Sequence, residues 1–241
     1  IVADGKGILA ADESNPTCGK RFDSIGVEST EENRRDYREL LFRSKGMKDN
    51  IGGVILFDET IRQSAKDGTL LRDVIKNQGV LPGIKVDKGL QPLEDCLGET
   101  VTVGLDGLDE RLKEYSSMGA KFTKWRAVIN IGDGLPTDKC IDANMEALAD
   151  YAKCAQDNEM VPIVEPEVLM DGEHSIDECY EATERSLKSL FEHLDKKGVN
   201  IKGTLLKPNM VTSGKDASVQ AGIDEVAKKT LDCLIANVPA D

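Results

Sequence analysis

Apolar residues in this chain cluster on consecutive positions, in short runs centred near residues 9, 55, 84, 125, 163 and 205. Runs that are apolar on successive positions, rather than alternating, suit strands buried on both faces of a parallel sheet. Their spacing of roughly 30–45 residues leaves room for a strand, a helix and two loops. The intervening segments are amphipathic. Ser29-Thr30-Glu31-Glu32 resembles a capping box and opens a helix to about Phe42. Leu108 to Met118 predicts a short helix that stops at Gly119. Between Thr137 and Gln156, Ile141, Met145, Leu148, Ala152 and Ala155 follow helical spacing. Ile176 to Lys197 predicts another helix, with basic residues in its last turn and Gly198 as its stop. Ile223 to Ile235 predicts the last.

Strand and helix therefore alternate, which argues for an α/β fold with a parallel sheet. Six strand–helix units are visible, whereas a closed (β/α)8 barrel has eight. The chain is either the first six units of such a TIM barrel or an open doubly wound sheet. Charged residues at most strand ends fit both. Mixed functional types at so many strand ends favour the barrel, because an open sheet concentrates its site at one switch point. No linker, low-complexity tract or break in composition divides the chain, so residues 1–241 are read as one domain. Both ends look cut: Ile1 leads into a strand at once, and the chain closes at Pro239-Ala240-Asp241.

A formal charge of −13 disfavours nucleic acid and acidic membranes as partners. It leaves room for an anionic small substrate held by a local lysine cluster. The six cysteines form no CxxC pair, so a zinc ribbon is not expected and free thiols are. No apolar stretch reaches the roughly 20 residues of a membrane span. Gly5-Lys6-Gly7-Ile8-Leu9-Ala10 has the letters of a dinucleotide fingerprint. It comes before its strand instead of after it, which is the wrong context. There are two histidines, His174 in an acidic loop and His193 on a helix. Both are expected at the surface, and neither a metal triad nor a cofactor is expected.

The residues that close the strands carry the chemistry. Leu205-Leu206-Lys207-Pro208-Asn209 places Lys207 where a barrel strand reaches its catalytic face. A lysine amine is a nucleophile only as the free base, and at an ordinary pKa near 10.4 about one in a few thousand is free at pH 7. Burial and a second cation are the means of changing that. Lys124 is the candidate second cation, and Lys85 closes a third strand. Glu165-Pro166-Glu167 brings two carboxylates to a fourth strand end, as ion-pair partners of the lysines or as proton shuttles during imine formation. Asp12 follows the first strand and is either a base or a helix cap. Ser14, Thr17, Lys20 and Arg21 come next, with hydroxyls and cations suited to a phosphate. Asp58 and Glu59 are read as a cap or ion-pair partners. Trp125, between Lys124 and Arg126, is expected to face the helices.

The stretches GKGILAADES, CGKRF, GGVILFDET, GIKVDKG, GLDGL, KWRAV, VPIVEPE, DGEH and GTLLKPNMVT, in this order, resemble class I (Schiff-base, metal-independent) fructose-bisphosphate aldolases. The resemblance implies a (β/α)8 lyase, a homotetramer, that reversibly cleaves fructose 1,6-bisphosphate into dihydroxyacetone phosphate and glyceraldehyde 3-phosphate. It implies Lys207 as the Schiff-base lysine and Glu165 as the acid and base for carbinolamine dehydration. Asp12 would deprotonate the C4 hydroxyl, Lys124 would support charge, and Glu167 would hold the lysine network. Lys85, Arg126, Ser14, Thr17 and Arg21 would bind substrate or its phosphates. The family continues beyond both ends of this chain, with a helix before IVADGKG and two more strands and a tail after NVPAD. Cytoplasm is the expected compartment, with a plastid as the alternative that NPTCGKR suggests. An inactive fragment or scaffold of aldolase ancestry is the competing expectation. So is another Schiff-base barrel such as a transaldolase, which the VDKG, KWR and EPE series does not resemble.

Overall fold

The computed structural model describes residues 1–240. In chain order the elements are β1 (Gly7–Ala11), α1 (Asn15–Asp23), α2 (Glu31–Phe42), α3 (Met47–Asn50), β2 (Ile51–Leu56), α4 (Asp58–Arg62), α5 (Leu71–Lys76), β3 (Leu81–Lys85), β4 (Leu90–Pro92) and β5 (Thr100–Thr102). They continue as α6 (Leu108–Ser117), β6 (Phe122–Ile129), α7 (Asp138–Asp157), β7 (Val161–Val168), α8 (Ile176–Lys196), β8 (Leu205–Leu206) and α9 (Ile223–Asn237). Two compact units share the chain. One holds residues 1–85 and 110–124; the other holds 86–109 and 125 onward.

In the first unit β1 pairs with β2, β2 with β3, and β3 with the start of β6, all parallel. Two glycines set the packing. A Cβ at Gly53 would lie 2.8 Å from the Phe122 ring, and one at Gly83 would lie closer still. The bare backbones of β2 and β3 thus make room for Phe122, which is fully buried. On α2 the N-cap is Thr30, whose Oγ1 accepts from the Asn33 backbone N–H at 3.1 Å. The cap falls one residue later than the capping-box pattern at Ser29 predicts. The third helical residue is then Asn33 in place of a glutamate, and no reciprocal box forms.

In the second unit the rest of β6 leads to β7, with Leu169 N–H donating to Ile129 O at 2.9 Å, and β7 pairs in parallel with β8. Trp125 faces away from the strand's charged side, as expected, and stacks on Tyr151 of α7 with ring centroids 5.4 Å apart. Here the capping box is real: Ser175 and Glu178 bond reciprocally at the start of α8. The sequence reading missed β4 and β5, an antiparallel pair, and the short helices α1, α4 and α5.

In both units strand order follows chain order without reversal, and parallel strands alternate with helices. This is the pattern of the first six units of a (β/α)8 barrel. A doubly wound sheet would reverse its order at a switch point.

Both histidines correct the surface expectation. His174 is 6% exposed and His193 is 8% exposed. His193 stands in the apolar stripe of α8 beside Leu190 and Leu194, and its Nε2 lies 2.8 Å from Asp142 Oδ1. The ring of His174 has no protein hydrogen-bond partner at either nitrogen.

Candidate active site

Chemistry-bearing residues gather where the parallel strands end, as a separate cluster in each unit. In the first unit β1 ends at Ala11, and Asp12 follows it. Lys124 Nζ donates to Asp12 Oδ2 at 3.1 Å, and both residues are buried. Asp12 is therefore no helix cap; the N-cap of α1 is Ser14. Lys85, the last residue of β3, is the register partner of Lys124, which stands third in β6 and not at its end as the sequence suggests.

The segment after Asp12 is strongly tied down. Arg21 forms an ion pair with Glu13, and the Tyr37 hydroxyl donates to Glu13 Oε1 at 3.1 Å. Desolvation first, and the Glu13 charge second, push the Tyr37 phenol above its ordinary pKa, so it stays a donor. Ser14 Oγ and Thr17 Oγ1 share a hydrogen bond of 3.0 Å at the exposed start of α1. Of the residues expected to take a phosphate, Arg21 is thus already engaged by a carboxylate, while the two hydroxyls face out together.

Asp58 and Glu59 act as ion-pair partners, as expected. Glu59 accepts from Arg34 Nη2 at 2.6 Å and from Nε at 2.8 Å. The Arg34 hydrogen bond holds the Glu59 carboxyl below the usual carboxylate range.

In the second unit the register of β7 and β8 decides the geometry. Val164 is opposite Leu206, and Lys207 N–H donates to Val164 O at 2.9 Å. Lys207, just past β8, is then level with Glu165, which lies within β7 and not at its end as the sequence suggests, and their side chains form an ion pair. Glu165 is buried, whereas the Lys207 side chain is 47% exposed. Burial, one of the two means by which a lysine could be activated, is therefore supplied to the carboxylate more than to the amine. Glu167 lies on the same side of β7 as Glu165 by strand alternation. Its ion-pair partner is Arg126, where the sequence reading foresaw a lysine.

Two anchoring residues escaped the sequence reading. Asn209, two positions past Lys207, accepts from Val168 N–H at 3.2 Å and donates to Thr183 Oγ1 at 3.1 Å. It pins the segment that carries the lysine to β7 and α8. Arg38 does the corresponding work around Asp12 and is 1% exposed. An arginine at a helical position otherwise spaced for the core was the available signal for it.

All six cysteines are free thiols. Burial raises the pKa of Cys18 and Cys179, and pushes Cys140 up to about 12, with the Glu99 charge adding to it. These three are not poised as thiolate nucleophiles. Among the described residues, no group of three or more His, Cys, Asp or Glu side chains is placed to hold a metal ion. Among the same residues, no helix is long and apolar enough to cross a membrane.

The family model described as fructose-bisphosphate aldolase class-I matches residues 1–241. A probable fructose-bisphosphate aldolase class 1 of Xanthomonas campestris pv. campestris is 55% identical over 240 residues, covering 100% of this chain and 72% of that protein. The cytosolic fructose-bisphosphate aldolase 4 of Arabidopsis thaliana is 52% identical over 100% of this chain and 61% of its own length. The chloroplastic aldolase 1 of Chlamydomonas reinhardtii is 52% identical over 99% of this chain and 63% of its own length. Among solved structures, fructose-bisphosphate aldolase from Plasmodium falciparum, crystallised with TRAP and a small-molecule inhibitor, superposes with a TM-score of 0.97 at 48% identity. That match covers 99% of this chain and 69% of that one.

Proposed function

Because the chain belongs to the class I fructose-bisphosphate aldolase family, we propose that Lys207 is the amine through which it reversibly cleaves fructose 1,6-bisphosphate. The carrying observation is the ion pair of Lys207, just past β8, with Glu165 at the adjoining position within β7. A carboxylate bonded to the ammonium is placed to take its proton, and the freed amine adds to the C2 carbonyl of the sugar. The same carboxyl group, now protonated, returns that proton to the carbinolamine oxygen, so water leaves and an iminium forms. The iminium accepts the electron pair of the breaking C3–C4 bond. Asp12 removes the C4 hydroxyl proton, C4 becomes the aldehyde, and glyceraldehyde 3-phosphate departs. Protonation of the enamine and hydrolysis of the imine release dihydroxyacetone phosphate and restore Lys207.

Lys124 donates to Asp12 and orients its carboxyl group for this step, which the 3.1 Å contact supports. Arg126 is steadied by Glu167 and binds substrate oxygens, as does Lys85. Ser14, Thr17 and Arg21 serve a phosphate, Arg21 by exchanging Glu13 for it. One family model runs through both units, which supports reading residues 1–241 as one domain. A homotetramer in the cytoplasm is the assembly and place we assign, the latter with support from the cytosolic relative.

The test is the cleavage rate of fructose 1,6-bisphosphate with and without a metal chelator, in the native protein and in Glu165→Gln. The expected result is chelator-insensitive cleavage that falls about 10²–10⁴-fold in the variant, the range for loss of a proton-transfer group. Cleavage abolished by the chelator, or undiminished in Glu165→Gln, would overturn the assignment.

A further inference from the structure

Arg38 makes a set of contacts that converge on the two residues flanking Asp12. Its Nε donates to Ala11 O at 3.3 Å, on the residue before Asp12. Its Nη2 donates to Glu13 O at 2.7 Å, on the residue after it, and to Glu13 Oε2 at 3.2 Å. Its Nη1 donates to Cys18 Sγ at 3.0 Å, on the helix that follows. One guanidinium plane thus grips the backbone on both sides of Asp12 and the next helix as well. The side chain is essentially inaccessible, at 1% exposure.

Holding an arginine there is costly unless its donors are satisfied. An ion pair with Glu13 alone would not require this arrangement, because Glu13 also pairs with Arg21 at the surface. What the fork does uniquely is fix the two carbonyls that set the direction of the chain at residue 12. β1 ends at Ala11, so residue 12 lies just past the strand. Lysine has three donors but no planar fork, so it does not hold the two carbonyls in one fixed geometry.

We infer that Arg38 is a positioning residue for the cleavage step: its guanidinium clamps the carbonyls of Ala11 and Glu13 so that the Asp12 carboxylate stays aimed where it removes the C4 hydroxyl proton. It touches neither substrate nor reacting atoms. The inference rests on the reading of Asp12 as that base. Arg34, one turn earlier on α2 and also buried, is the natural control. It pairs with Glu59 and Ser29 and makes no contact with residues 11–13.

The clamp should therefore separate two steps that a general loss of structure would reduce together. Formation of the Schiff base with dihydroxyacetone phosphate uses Lys207 and needs no base at C4. Cleavage of fructose 1,6-bisphosphate needs both. The experiment measures the borohydride-trapped dihydroxyacetone phosphate adduct and kcat for cleavage, in Arg38→Lys, Arg34→Lys and Asp12→Asn. A misaligned group costs on the order of 10²-fold in rate. Arg38→Lys should keep the adduct at the native level while kcat falls about 10–100-fold, with KM little changed. Arg34→Lys should keep both.

Loss of adduct and cleavage in equal proportion in Arg38→Lys would make Arg38 merely structural and overturn the inference. So would native kcat in Arg38→Lys. If Arg38→Lys does not fold, Cys18→Ala, which removes one contact of the fork without removing its charge, should show a smaller drop in kcat with the adduct intact; a native kcat there would count against the clamp. Native cleavage by Asp12→Asn would instead strike at the reading of Asp12 itself. The two failures are therefore told apart.

Discussion

His174 shows how a single residue can escape a reading of its neighbours. Asp171 and Glu173 flank it and suggest a solvated loop, yet the ring is buried and burial lowers its pKa from 6.5. The folded protein therefore resists protonating it more than the unfolded chain does. The stability it contributes is complete above about pH 6.5, the unfolded value, and is lost as pH falls from there through the lowered folded value. In urea titrations the native midpoint should drop as pH is lowered below about 6.5. His174→Gln should flatten that slope; identical slopes in the two proteins would contradict this account. His193 was more legible than it was taken to be. Its place three residues after Leu190 and one before Leu194 continues the apolar stripe of α8. By contrast, the charged residues that close the strands could be read directly, because a charge at the end of an apolar run has few reasons to be there. Asp12 and Lys207 follow the ends of β1 and β8, whereas Lys124 and Glu165 lie within β6 and β7, because those two strands run on past the charged residue; the four form two bonded pairs. The sequence could not show the pairing, which depends on register and on which strands adjoin.

Elements long enough to express their period were legible. The ranges predicted for α7, α8 and α9 agree with the structure to within a residue or two at each end. Of the missed helices, α4 and α5 have fewer than two turns, so no apolar period can establish itself. The longer α1 carries Pro16 in its first turn, where proline is tolerated, and only Cys18 and Phe22 of its residues are buried apolar positions. The glycines of β2 and β3 look like weaknesses in a strand until Phe122 is placed over them. Gly83→Ala should destabilise the protein by about 1–3 kcal/mol through overpacking. Gly83→Ala combined with Phe122→Leu should recover part of that loss, because the two changes share one space. Chemical denaturation of the two single variants and the double variant measures the coupling, and strict additivity would remove Phe122 as the reason for the glycine.

On the scale of the whole molecule, the repeated alternation of parallel strand and helix was the most legible property. Local sequence could not separate the barrel's first six units from a doubly wound sheet. Strand order does, because it follows the chain in both units with no reversal. Each unit contributes one lysine–carboxylate pair, Lys124 with Asp12 and Lys207 with Glu165. A net charge of −13 surrounds these cations, so substrate capture depends on local lysine and arginine placement and not on a long-range field. The central claim is that Lys207 is the amine that becomes covalently bound. Incubation with dihydroxyacetone phosphate, reduction with borohydride and peptide mapping by mass spectrometry tests it most directly. The account predicts a single reduced adduct on Lys207, absent in Lys207→Met, in a protein whose circular dichroism shows it folded. An adduct on another lysine, or none on the folded native protein, would contradict it.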